Sequence, residues 1–222
     1  MDGTGSLFKD FIAALPNGLE TVTVRYPPDE SLSYPELENF VRAACPISGP
    51  FVLLAESFST PLAIRYAASN PGNFEGLVLC AGFATSPVSG WRRFLGSLLA
   101  PLMFRAPLPD LAAKLWLVGP DASPSLLAAV RSAVSSVQSR VLAARLRAVL
   151  RCDVRAELGR VAVPVLYIQA QQDRLVSASC LEELRRIKPQ IAVTVLEGPH
   201  LLLQREPRRA AEVVAGFAQH LL

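Results

Sequence analysis

Three residues in this chain have types and settings that could do chemistry together. Ser57 stands between an apolar run, Phe51-Val52-Leu53-Leu54-Ala55, and a stretch of helical character opened by Pro61. The residues two before and two after it are Ala55 and Ser59, which makes small-x-Ser-x-small, a relaxed form of Gly-x-Ser-x-Gly. A strand that turns at once into a helix brings the two backbones almost into contact, so only small flanking residues fit. The same tightness strains the serine and exposes its hydroxyl beside a helix N-terminus. A serine nucleophile needs a base, and the chain offers His200 and His220. His220 is close to the C-terminus, where fraying and solvation make a poor base. His200 follows the apolar run 192–196 through Glu197-Gly198-Pro199, in a loop just past a strand end. Asp173 follows another run, 163–170, through Gln171 and Gln172, where it can orient an imidazole. Asp153 is the rival carboxylate, but it precedes that run instead of following it. The expected chemistry is attack by Ser57 with His200 as proton carrier and Asp173 as its orienting group.

Such a trio needs a scaffold that ends several strands at one rim. Five short runs rich in Val, Leu and β-branched residues read as strands, over 21–26, 51–55, 76–81, 163–170 and 192–196. Helical periodicity lies between most of them: a face made by Leu7, Phe8, Phe11, Ile12 and Leu15, then 35–44, 61–68, 179–187 and 206–222. Strand and helix in alternation predict an α/β domain with a mostly parallel sheet, and loops at strand C-termini are where such sheets place their sites. The chain has 222 residues, 51% hydrophobic and 18% charged, which fits a folded core and excludes a disordered or fibrous chain. A net charge of +3 is too small to argue for nucleic acid.

The alternation breaks once. Residues 84–160 carry no strand pattern and read as Pro-punctuated helices over 91–99, 110–117 and 123–150, a helical cap inserted into a core formed by 1–83 and 161–222. The cap holds 11 basic residues against 4 acidic, which leaves the core acidic. Arg140, Arg147, Arg151 and Arg155 fall near one helical face, which reads first as a solvated face and second as a surface for an anionic substrate or carrier. Trp91, Phe94, Met103 and Phe104, with Leu98, Leu99 and Trp116, could line an acyl pocket or simply pack the cap.

The best apolar window, 94–104 between Arg93 and Arg105, is too short to span a bilayer, and no leader pattern opens the chain. Cys45, Cys80, Cys152 and Cys180 are far apart, without metal-site spacing, and read as idle thiols in a cytoplasmic protein.

The stretches Ala55-Glu56-Ser57-Phe58-Ser59, Pro164-Val165-Leu166-Tyr167-Ile168 leading to Asp173, and Gly198-Pro199-His200 together resemble the α/β-hydrolase family, over nearly the whole chain. The order Ser, Asp, His is the order of that family. The resemblance is to small esterase-like members with a helical cap, and it implies carboxylic-ester hydrolysis without a metal or organic cofactor. The opening Met1-Asp2-Gly3-Thr4-Gly5 is similar to the oxyanion loop of relatives, which implies backbone N–H donors at Phe58 and at Met1 or Asp2. In the family a central strand precedes that loop, and the resemblance therefore implies a sheet lacking its N-terminal core strands. A start further upstream, a second copy of the chain completing the sheet, and direct pairing of 21–26 with 51–55 all remain open. Thioester cleavage or acyl transfer from a carrier is the alternative activity. A non-catalytic binding protein on the same fold is the alternative of another class.

Overall fold

A computed structural model describes residues 1–222. Four parallel strands form its centre in the order β1 (Phe51–Glu56), β2 (Phe74–Cys80), β3 (Val165–Ala170) and β4 (Ala192–Leu196). Ala55 lies opposite Leu79, Leu79 opposite Tyr167, and Tyr167 opposite Val193, so all four strands end at one rim. Parallel neighbours require crossovers, and those crossovers cover both faces of the sheet.

Alternate side chains of β2 show the division. Leu77 and Leu79 point into a core shared with α2 (Tyr34–Ala44), α3 (Thr60–Ala67), α8 (Arg155–Arg160) and α9 (Ala178–Ile187), where Leu37, Leu62, Leu158 and Leu184 are fully buried. Val78 and Cys80 point the other way, into a smaller core with Phe11 of α1 (Lys9–Ala14) and Ala210, Ala211 and Val214 of α11 (Pro207–Gln219).

Between β2 and β3 the chain is helical: α4 (Trp91–Met103), α5 (Asp110–Ala113), a wide turn over Lys114–Val118, α6 (Pro124–Ser135), α7 (Ser139–Leu150) and then α8. An antiparallel bridge between Thr85 and Asp153 draws the two ends of this segment together. The helix expected over 123–150 is two helices. Ser135 and Ser136 turn their hydroxyls back onto the carbonyls of Ser132 and Ala133, which competes with continuation, and the Gln138 N–H leaves to bond Pro28 C=O at 2.9 Å. The end of α7 at Leu150 and the separate α8 remove Arg155 from the face of Arg140, Arg147 and Arg151. Arg155 pairs instead with Asp153 at 2.7 Å.

The sheet has four strands where the sequence predicts five. Residues 21–26 form no ladder, and their one backbone hydrogen bond runs from Tyr26 N–H to Gly3 C=O at 2.9 Å. A β-branched sequence becomes a strand only beside a partner that takes its N–H and C=O groups, and this segment has none. β1 is therefore an edge of the sheet. No helix is long and apolar enough to cross a membrane.

Candidate active site

The site forms where β1 gives way to a single tight turn, Ser57–Ser59, before α3. Ser57 has φ 53°, a left-handed conformation that a serine adopts only when its surroundings impose it. Phe58 supplies part of that imposition. It is buried, stacks on Tyr34 at 5.1 Å and meets the edge of Tyr26 at 6.3 Å, while its carbonyl accepts from the Tyr34 hydroxyl at 3.0 Å. Thr60 adds the rest, donating its hydroxyl to Ser57 C=O at 2.8 Å.

The two partners arrive from β3 and β4. Asp173 follows β3 by three residues. One of its oxygens accepts the N–H groups of Leu175 and Val176 at 2.8 and 2.9 Å, leaving the other to His200 Nδ1 at 2.8 Å. His200 follows β4, and its Nε2 lies 2.7 Å from Ser57 Oγ. The His200 and Asp173 side chains are 3% and 4% exposed, so their hydrogen bond is shielded from competing water. The structure thus brings together the three residues singled out by sequence, from positions 143 and 27 apart. Asp153 lies elsewhere, in its pair with Arg155.

A polar clip braces the serine turn against the histidine loop. Glu56, next to Ser57, is buried. Its carboxylate accepts the Leu203 N–H at 3.1 Å and the Gln204 side-chain amide at 3.0 Å, both on α10 (Leu202–Arg205), the short helix after His200. Burial raises the Glu56 pKa, and the two hydrogen bonds oppose that rise without cancelling it.

The N-terminal loop is held by an arginine. Arg145 of α7 is 1% exposed and occupies the helix's inner face between Val141 and Val149. Its Nη1 donates to Met1 C=O and Asp2 C=O, each at 2.7 Å, and its Nη2 donates to Pro27 C=O at 2.8 Å. The guanidinium also lies over the Tyr26 ring at 5.8 Å. Gly3 is required here. At φ 69° it has no room for a side chain, since a Cβ would stand 2.8 Å from the Tyr26 ring and 3.0 Å from Arg145 Nη1. Because a trans peptide points its N–H opposite to its C=O, gripping the carbonyls of Met1 and Asp2 fixes the directions of the Asp2 and Gly3 N–H groups.

The four aromatic and sulfur side chains considered for substrate contact lie on or just after α4. Trp91, Phe94 and Met103 are 71%, 74% and 59% exposed, and Phe104 is half-buried against the cluster of Val137, Val141 and Leu142. A different apolar group borders His200. The Leu201 N–H donates to Leu117 C=O at 2.9 Å, and Leu117, Val118 and Leu7 cluster with Leu201. Glu56, Arg145 and Leu117 were not singled out by sequence. The available signals were a carboxylate ending an apolar strand and an arginine set at apolar spacing between Val141 and Val149.

A serine at a strained strand-to-helix turn, with an acid and a histidine on the ends of the last two strands of a parallel sheet, defines the α/β-hydrolase architecture. The chain belongs to the alpha/beta hydrolase family, whose model matches residues 3–215. Solved structures share the fold at low identity. A hydrolase from Oleispira antarctica superposes with a TM-score of 0.79 at 12% identity, covering 99% of this chain and 87% of that one. A thermophilic esterase from Thermogutta terrifontis gives 0.76 at 17% identity, with 98% and 86% covered. An enol-lactonase from Burkholderia xenovorans gives 0.77 at 17%, with 98% and 88% covered. No curated protein matches the chain by sequence.

Proposed function

We propose that this protein is a serine hydrolase that cleaves carboxylic esters through an acyl-enzyme. The observation that carries the reading is the unbroken hydrogen-bonded series Ser57 Oγ, His200 Nε2, His200 Nδ1, Asp173 Oδ2, at 2.7 and 2.8 Å. Ser57 Oγ attacks the ester carbonyl carbon as His200 Nε2 takes its proton. The tetrahedral oxyanion then collapses, the carbon–oxygen bond to the alcohol breaks, and His200 returns the proton to the departing oxygen. Water repeats the sequence on the acyl-enzyme and releases the acid. Asp173 holds the imidazole with Nε2 facing the serine and stabilises the imidazolium in each half-reaction.

The developing oxyanion needs donors already aimed at it. Phe58 offers one, because an N–H in the first turn of a helix has no intrahelical acceptor. The Met1–Gly3 loop, gripped by Arg145, offers the other. The test is p-nitrophenyl acetate hydrolysis by the wild type and by Ser57→Ala, each checked for folding by circular dichroism. The variant should lose about a thousandfold or more in kcat/KM. Equal rates would end the reading and favour a non-catalytic role.

A further inference from the structure

Helix α4 is built the wrong way round for a helix of a water-soluble domain. Such a helix turns its large apolar side chains inward. Here the small residues face in: Ala100 is fully buried and Gly96 and Ser97 are half-buried, with α7 close behind them. A Cβ on Gly96 would stand 3.2 Å from Leu150 Cδ1, and Ser97 C=O accepts from Arg147 Nε at 3.3 Å. The opposite face carries Trp91, Phe94, Leu98 and Leu102, each more than half exposed. Burying that face would be favourable, so its exposure points to a partner outside the fold.

Charge decides which partner. No carboxylate occurs in the sequence between Glu75 and Asp110. Arg92 and Arg93 open the helix and Arg105 follows it. A cleft of about 490 Å³ beside α4 is lined by Arg93, Arg147 and Arg151 over Phe94, Leu98 and Leu150. None of these arginines pairs with a carboxylate: the ion pairs of the molecule involve other residues. A second copy of the chain would bring two such arginine-rich faces together without compensation. A bilayer of anionic lipid offers both things this surface lacks: an apolar layer for the leucines and aromatics, and phosphates for the arginines. At 13 residues α4 spans about 20 Å, too short to cross a bilayer and long enough to lie in its interface.

We infer that α4 docks this protein on the surface of anionic lipid bilayers, with its Trp91–Leu102 apolar face in the acyl layer and Arg93, Arg147 and Arg151 on the headgroup phosphates. The inference stands apart from the ester-hydrolase reading, because none of these residues belongs to the Ser57 relay.

The experiment is flotation of the full chain with phosphatidylglycerol vesicles and with phosphatidylcholine vesicles. The wild type should float with the anionic vesicles about tenfold more strongly than with the zwitterionic ones, and salt at about 0.5 M should release it. Leu98→Glu with Leu102→Glu, at two exposed positions, should lower binding about tenfold or more with an unchanged melting temperature. Arg93→Gln with Arg151→Gln should lower binding to phosphatidylglycerol by a similar factor and leave the weak phosphatidylcholine binding alone. Ser57→Ala should float like the wild type, which separates docking from catalysis. Absence of flotation, equal binding to both vesicles, or a dimer in light scattering that the Leu98→Glu, Leu102→Glu variant dissociates would each overturn the inference.

Discussion

Glu56 shows how a single side chain next to the nucleophile ties local electrostatics to stability. Its pKa is raised by burial above the ordinary 4.5. The folded state therefore holds the Glu56 proton more tightly than the unfolded chain does. That contribution is complete below the unfolded value and is lost as pH rises through the folded one. Glu56→Gln does not titrate there, and its new amide can donate to Gln204 Oε1, a buried acceptor without a partner. The variant should gain stability relative to the wild type as pH is raised from 4.5. Melting temperatures of the two proteins across that range check it, and a constant difference would mean that Glu56 titrates alike in both states. Ser57, Asp173 and His200 were readable in the sequence because each follows an apolar run at a strand end, a position that carries meaning without any knowledge of contacts. Glu56 was not, since what matters is a backbone N–H and an amide 147 and 148 residues away.

Among the elements, α7 does two jobs that its sequence only half discloses. One face fills the space behind α4, and Arg145 on the inner face carries the N-terminal loop. Arg145→Met removes three charge-assisted donors and leaves the carbonyls of Met1, Asp2 and Pro27 without them, at a cost of about 2–4 kcal/mol in urea unfolding. If the loop supplies an oxyanion donor, kcat for ester hydrolysis should fall more than KM rises, and Arg145→Lys, with a single point of attachment, should restore part of it. A destabilised variant with unchanged kcat would reduce Arg145 to a structural role. The elements also mark where pattern reading stops. Residues 21–26 have strand composition but no neighbour to pair with, and composition holds no record of neighbours. For α4 the apolar face was plain in the sequence. Its direction was not, because that depends on whether Gly96, Ser97 and Ala100 fit the surface of α7 better than the leucines do.

At the scale of the whole molecule, the architecture follows from few rules. Parallel strands end at one rim, helices cover both faces, and the residues that follow three strand ends meet above them. The alternating pattern was enough to recover that plan, and the long strandless stretch announced the helical segment between β2 and β3. The same plan has a consequence in time. No two members of the relay are local to each other: Ser57 and His200 are separated by 143 residues, and Asp173 and His200 by 27, with a helix and a strand between them. Each helix can form from its own neighbourhood within microseconds, whereas parallel pairing must close long loops before any contact rewards it. During refolding from urea, far-ultraviolet circular dichroism should therefore recover ahead of the proposed ester hydrolysis. Coincident recovery of the two signals would show that the sheet assembles with its helices in one step. Under the proposed reading, hydrolysis would then be the last property this chain acquires, and it would report the completed sheet more faithfully than any helical signal.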